Sequence, residues 1–211
     1  AVSTVSVTEQ AQPDAGTNGT LTICSGSTVT AAALFAQLGG SADAGGTWSP
    51  VFAGSGTYTY TVAATAPCTV DAVSTVSVTE QAQPDAGTNG TLTICSGSTV
   101  TAAALFAQLG GSPDAGGTWS PAFAGAGTYT YTVAATAPCT VNAVSTVSVT
   151  EQAQPDAGTN GTLTICSGST VTAAALFAQL GGSPDAGGTW SPVFAGAGTY
   201  TYTVAATAPC T

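Results

Sequence analysis

The residues that could do chemistry in this chain belong to few types. There are ten acids and six cysteines, and no Lys, Arg or His. Without His or Lys, proton transfer falls to Asp, Glu or Tyr. Among the carboxylates of one repeat are Asp14, Asp43 and Glu80, and a carboxylate pair is the minimum equipment for glycoside hydrolysis. However, Asp14 and Asp43 stand in "PDAG" and "ADAGG", where Asp followed by small residues makes a turn. The expectation is a protein that is not an enzyme and has no cofactor. Calcium is the minor alternative: the D-x-[DN]-x-[DN]-G loop is missing, and isolated acids offer one or two ligands each. Asn18, Asn89 and Asn160 open "NGT", which matches the N-glycosylation acceptor and also reads as a turn.

The cysteines carry the strongest chemical signal. They come as Cys24 and Cys68, Cys95 and Cys139, and Cys166 and Cys210. Zinc is a poor reading, because there is no His and no C-x-x-C pair. Structural disulfides are expected, and the repetition leaves two connectivities. One closes Cys24–Cys68, Cys95–Cys139 and Cys166–Cys210 within repeats. The other, of the Cys68–Cys95 type, straddles a linker. The first is the expectation. Closing its loops is worth about 3–4 kcal/mol each in the chain-entropy model. Disulfides place a protein outside the cytosol.

The elements that hold these residues repeat almost letter for letter. "AVSTVSVTEQAQPDAGTNGTLTICSGSTVTAAALFAQLGG" starts at Ala1, Ala72 and Ala143, a period of 71 residues. That period is too long for a solenoid turn of roughly 20–45 residues and suits a small domain. "GTYTYTVAAT" (Gly56 to Thr65) alternates, with Tyr58, Tyr60 and Val62 on one face, and reads as a half-buried strand. "VSTVSVTE", "GTLTIC" and a short "GGTWSP" segment around Trp48 read likewise. "TAAALFAQLGG" predicts a short helix, with Thr30 as N-cap, Ala31 to Leu38 helical and Gly39 at C′. "QAQPDAGTNG" is the most linker-like stretch. The expected division is 1–10, a last strand of a preceding domain or a donor strand; 11–82; 83–153; and 154–211, a repeat without its last strand. Strands with a turn signal about every ten residues, with a Trp on a central strand, predict all-β, tandem small immunoglobulin-like sandwiches. One short helix per repeat and a bead-like rod or filament complete the expectation.

The composition excludes several partners. The formal charge is −10 and only 5% of residues are charged, against roughly 25% in an ordinary domain. With no cation, contacts to phosphate backbones or anionic lipid fail. No apolar run approaches the ~20 residues of a membrane span. No positively charged n-region marks a signal peptide, so the expectation is a mature protein or an internal piece of a longer one.

Taken as a group, "LFAQLGG", "SPDAGGTWSP", "GAGTYTYTV", "APC" and "VSTVSVTE" resemble the immunoglobulin-like repeats of giant secreted surface adhesins of Bacteroidetes, including gliding-motility adhesins exported by the type IX system. The resemblance covers the whole chain. It implies an extracellular, cell-surface stalk or fibre segment whose partners are neighbouring repeats or subunits of the same fibre. No binding residue carries over from it. The alternative function is a pilus-like subunit that polymerises by donor-strand exchange of residues 1–10. A lesser alternative takes the Thr rows of "TYTYT" and "TVSVT" as an ice- or glycan-binding surface.

Overall fold

The computed structural model describes every residue, Ala1–Thr211. The chain is all-β with three short helices. The first copy gives β1 (Gly19–Cys24), α1 (Ala31–Phe35), β2 (Thr47–Ser49), β3 (Gly56–Val62) and β4 (Ala72–Gln81). These strands form one sheet in the order β1-β4-β3-β2. The second copy repeats it with β5 (Gly90–Cys95), α2 (Ala102–Phe106), β6 (Thr118–Ser120), β7 (Gly127–Val133) and β8 (Ala143–Gln152), in the order β5-β8-β7-β6. The third contributes α3 (Ala173–Phe177) and a two-stranded sheet of β9 (Thr189–Ser191) and β10 (Thr201–Thr203). The residues cluster into two compact units. One comprises 1–86, 114–117 and 132–144; the other comprises 87–113, 118–131 and 145–211. No helix is long and apolar enough to cross a membrane.

Alternation sets the core of the first sheet. Tyr58 and Tyr60 on β3 are buried, as are Val76 and Val78 on β4. Val29 and Leu34 pack on Tyr58 and the two valines, with Leu21, Ile23, Leu38 and Trp48 around them. Each tyrosine is also pinned at its polar end, as buried phenols require. The Tyr58 hydroxyl accepts from the Ala53 N–H (3.0 Å) and donates to the Gly54 carbonyl (2.9 Å). The Tyr60 hydroxyl accepts from the Gly46 N–H (2.8 Å) and donates to the Asp43 carbonyl (2.7 Å). Trp48 sits on the edge strand β2 rather than on a central one. Its ring packs on Tyr60 with centroids 4.9 Å apart.

Thr30 caps α1 as its sequence predicts, its hydroxyl accepting from the Ala33 N–H at 3.2 Å. The helix is shorter than Ala31 to Leu38, and Gly39 is not its C′ residue. The next amides fall back to tighter bonds, Gln37 to Leu34 and Leu38 to Phe35. Gly39 instead pairs with Thr17 in an antiparallel bridge, exchanging bonds of 2.8 and 3.0 Å. That bridge fixes the entry to β1. Gly16 opens it at φ 72°, a conformation that suits glycine.

Leu34 is fully buried and so is its counterpart Leu105, whereas Leu176 on α3 is only half-buried. Leu34→Ala or Leu105→Ala is therefore expected to cost about 2–5 kcal/mol, the range for emptying a packed leucine site. Leu176→Ala should cost clearly less. Urea denaturation of the three variants measures the order.

Candidate functional site: a groove matched to a decapeptide

The decapeptide "AVSTVSVTEQ" occurs three times, at 1–10, 72–81 and 143–152. Two copies are seated in sheets. β4 is a central strand, parallel to β1 with Gly19 opposite Val76 and Cys24 opposite Gln81. It is antiparallel to β3 with Gly56 opposite Val78 and Val62 opposite Ala72. Every second side chain of β4 from Ser74 points inward: Ser74, Val76 and Val78 are at most 3% exposed. The buried serine is satisfied, its hydroxyl donating to the Gly16 carbonyl at 2.6 Å. The Asn18 side-chain oxygen accepts from the Thr75 N–H at 2.8 Å. Glu80 closes the far end, its carboxylate accepting from the Ser55 N–H and the Ser25 hydroxyl, both at 3.1 Å.

β8 reproduces the seat. Ser145 donates to the Gly87 carbonyl at 2.6 Å and Asn89 accepts from the Thr146 N–H at 2.8 Å. Glu151 accepts from the Ala126 N–H and the Ser96 hydroxyl. Val147 and Val149 are buried.

The third copy carries the same seat with no decapeptide between its walls. Residues 161–166, the counterpart of β1, are not a strand, and β10 keeps three residues where β3 has seven. A groove of about 850 Å³ runs between them, lined by Asn160, Leu163, Ile165, Leu176, Trp190 and Tyr200 among others. Tyr200 and Tyr202 are half-buried, while Tyr58, Tyr60, Tyr129 and Tyr131 are 2% exposed. A central strand satisfies the backbone groups of both neighbours, so without one neither wall of the groove can complete its ladder. The remaining decapeptide, Ala1–Gln10, has no regular structure. Its Val5 and Val7, counterparts of the buried Val76 and Val78, are 90% and 88% exposed.

The disulfides join different cysteines from those expected. Cys24 bonds Cys139 and Cys95 bonds Cys210, with Cα atoms 4.8 and 4.9 Å apart, while Cys68 and Cys166 are thiols. The pairings Cys24–Cys68, Cys95–Cys139 and Cys166–Cys210 are thus corrected. The reason is the decapeptide's far end. Cys24 is level with Gln81, and the Cys139 sulfur lies 3.5 Å from the Gln81 carbonyl and 3.8 Å from that of Ala82. The second cysteine of each copy therefore docks on the decapeptide that precedes that copy, not on its own first cysteine. The two bonds mark an oxidising, non-cytosolic environment.

Asp14, Asp43 and Glu80 serve as structural acceptors. Asp43 accepts from the Asp14 N–H at 2.9 Å, and Asp14 from the Gly16 N–H at 2.7 Å. Glu80 lies in the decapeptide seat described above. Among the Thr rows, Thr22 and Thr79 share a hydrogen bond at 3.2 Å on an exposed face. Sequence reasoning missed the roles of Ser74 and Asn18. For Ser74 a signal was available, since a serine in phase with Val76 and Val78 is a polar residue at an inward position. No protein-family model, curated protein or solved structure matches this chain.

Proposed function

We propose that this chain is a structural segment of an extracellular fibre, built from small immunoglobulin-like β modules. In it, residues Ala1–Gln10 of one copy complete the open groove of another. One observation carries the reading: a sequence seated as a central strand in two grooves exists in a third, exposed copy, and the chain also holds a third groove built from the same repeated sequence. Strand addition of this kind takes affinity from backbone pairing and specificity from alternate side-chain pockets. In the register of β4, Val5 and Val7 would be buried among Leu176 and Tyr200, each contributing about 1.5–3 kcal/mol. Ser3 would reach the Gly158 carbonyl, Asn160 would accept from the Thr4 N–H, and Glu9 would receive the Ser167 hydroxyl. Donor and acceptor are different surfaces, so the contact is heterologous, and it propagates into an open filament wherever the rotation between copies does not close a ring. A surface without Lys or Arg offers trypsin-like proteases no cleavage site, which suits exposure outside the cell.

The seated β4 and β8 favour a second reading. Decapeptides also fill grooves from within one polypeptide, as they would along a continuous adhesin stalk. The mass of native fibre material after full reduction and denaturation separates the two. Strand donation between copies predicts a single species of short, discrete subunits. A species many times larger assigns the chain to a continuous stalk.

A further inference from the structure

We propose that a disulfide between Cys166 of one copy and Cys68 of the next locks each junction of the fibre covalently. This lock rests on the strand-donation reading above. The geometry for it is half assembled in a single chain. The Cys68 sulfur lies 3.6 Å from the Gln10 carbonyl and 3.8 Å from that of Ala11. Cys139 holds the same position on Gln81 and Ala82, and Cys210 on Gln152 and Ala153 at 3.4 and 3.6 Å. Those two cysteines are bonded; Cys68 is not. The decapeptide thus carries a thiol docked at its far end.

The groove supplies the other thiol. Cys24 is level with Gln81, and Cys95 with Gln152. Cys166 ends the matching segment of the third copy and is exposed. A donor seated in the shared register puts its Gln10 opposite Cys166 and carries Cys68 to that sulfur. The resulting bond would repeat the Cys24–Cys139 arrangement at every junction.

Bond formation consumes one molecule of a small disulfide such as oxidised glutathione. The more exposed Cys166 attacks first as its thiolate, forming a mixed disulfide and expelling one glutathione thiolate. The Cys68 thiolate then attacks the cysteine sulfur of that mixed disulfide and expels the second. Two protein thiols are oxidised, one disulfide is reduced to two thiols, and the two protons pass to the expelled thiolates.

The test assembles the 211-residue chain with oxidised glutathione and runs it on a denaturing, non-reducing gel. The expected result is a ladder in steps of about 20.2 kDa that collapses on reduction. Mass spectrometry after cleavage at acidic residues, since trypsin has no site, should find the peptide of Cys68 joined to that of Cys166. Cys68→Ser and Cys166→Ser should each still form fibres by electron microscopy but run as monomers. Both alter unbonded thiols and leave the existing disulfides in place. Fibres without a ladder, or a parent chain that stops at a Cys166–Cys166 dimer, overturn the lock and leave strand donation standing. No fibres from the parent chain overturn both.

Discussion

Deleting Ala1–Gln10 is expected to leave a folded monomer at concentrations where the full chain forms fibres. The segment is exposed and outside regular structure, so its loss removes little that supports the two complete sheets. The unfolding midpoint of the truncated chain should stay close to that of unassembled full-length protein. Assembly should not survive. Seated as β4 is seated, the decapeptide pairs with six residues on one side and seven on the other, and the two other copies of the decapeptide are already seated in their own sheets. Val5 and Val7 alone contribute about 3–6 kcal/mol between them when buried, roughly 10²–10⁴-fold in association constant. A point variant isolates that share. Val7→Asp would bring an unpaired carboxylate into the space that Val78 fills, which is strongly unfavourable, yet it keeps the backbone of the donor. Light scattering and electron microscopy read both variants. Fibres of normal yield from the truncated chain would remove the decapeptide from the junction.

How much of this was legible in the sequence depends on whether the signal was local. The alternation of Tyr58, Tyr60, Val76 and Val78 placed the strands and their inward faces, because period two is a property of the strand itself. Thr30 was legible as a cap for the same reason. Gly39 was not, because its role is set by Thr17, which lies 22 residues earlier. The cysteines were the larger miss. Spacing within a repeat made Cys24–Cys68 the natural pair, whereas the real partners are separated by 115 residues. Which thiols meet depends on where the decapeptide ends in the sheet, and no local pattern records that. The match between a spare decapeptide and a third seat was visible as repetition. The seat itself became visible only with Gly16, Asn18 and Ser25 arranged around a strand that follows them by more than 50 residues.

The same geometry predicts how to close the groove from within. A second copy of the sequence Val141–Gln152 joined after Thr211 would restore the spacing that separates β7 from β8. The added strand should seat intramolecularly, because a tethered donor outcompetes a free one through its effective concentration, of millimolar order for a short linker. Leu176, Tyr200 and Tyr202 should then become as buried as Leu105, Tyr129 and Tyr131, and hydrogen exchange at residues 162–166 should slow towards that of β5. Such a chain keeps its exposed Ala1–Gln10, so it remains a competent donor with no accessible acceptor. Alone it should be monomeric. Added at about one part in ten to the parent chain, it should end growing filaments and shorten them several-fold, since each incorporated copy terminates one end. An added strand in which the residues matching Val147 and Val149 are both Asp should neither seat nor shorten fibres, which separates filling of the groove from mere bulk at the C-terminus. If the closed chain polymerises as readily as its parent, the groove is not the acceptor and the junction lies on another face.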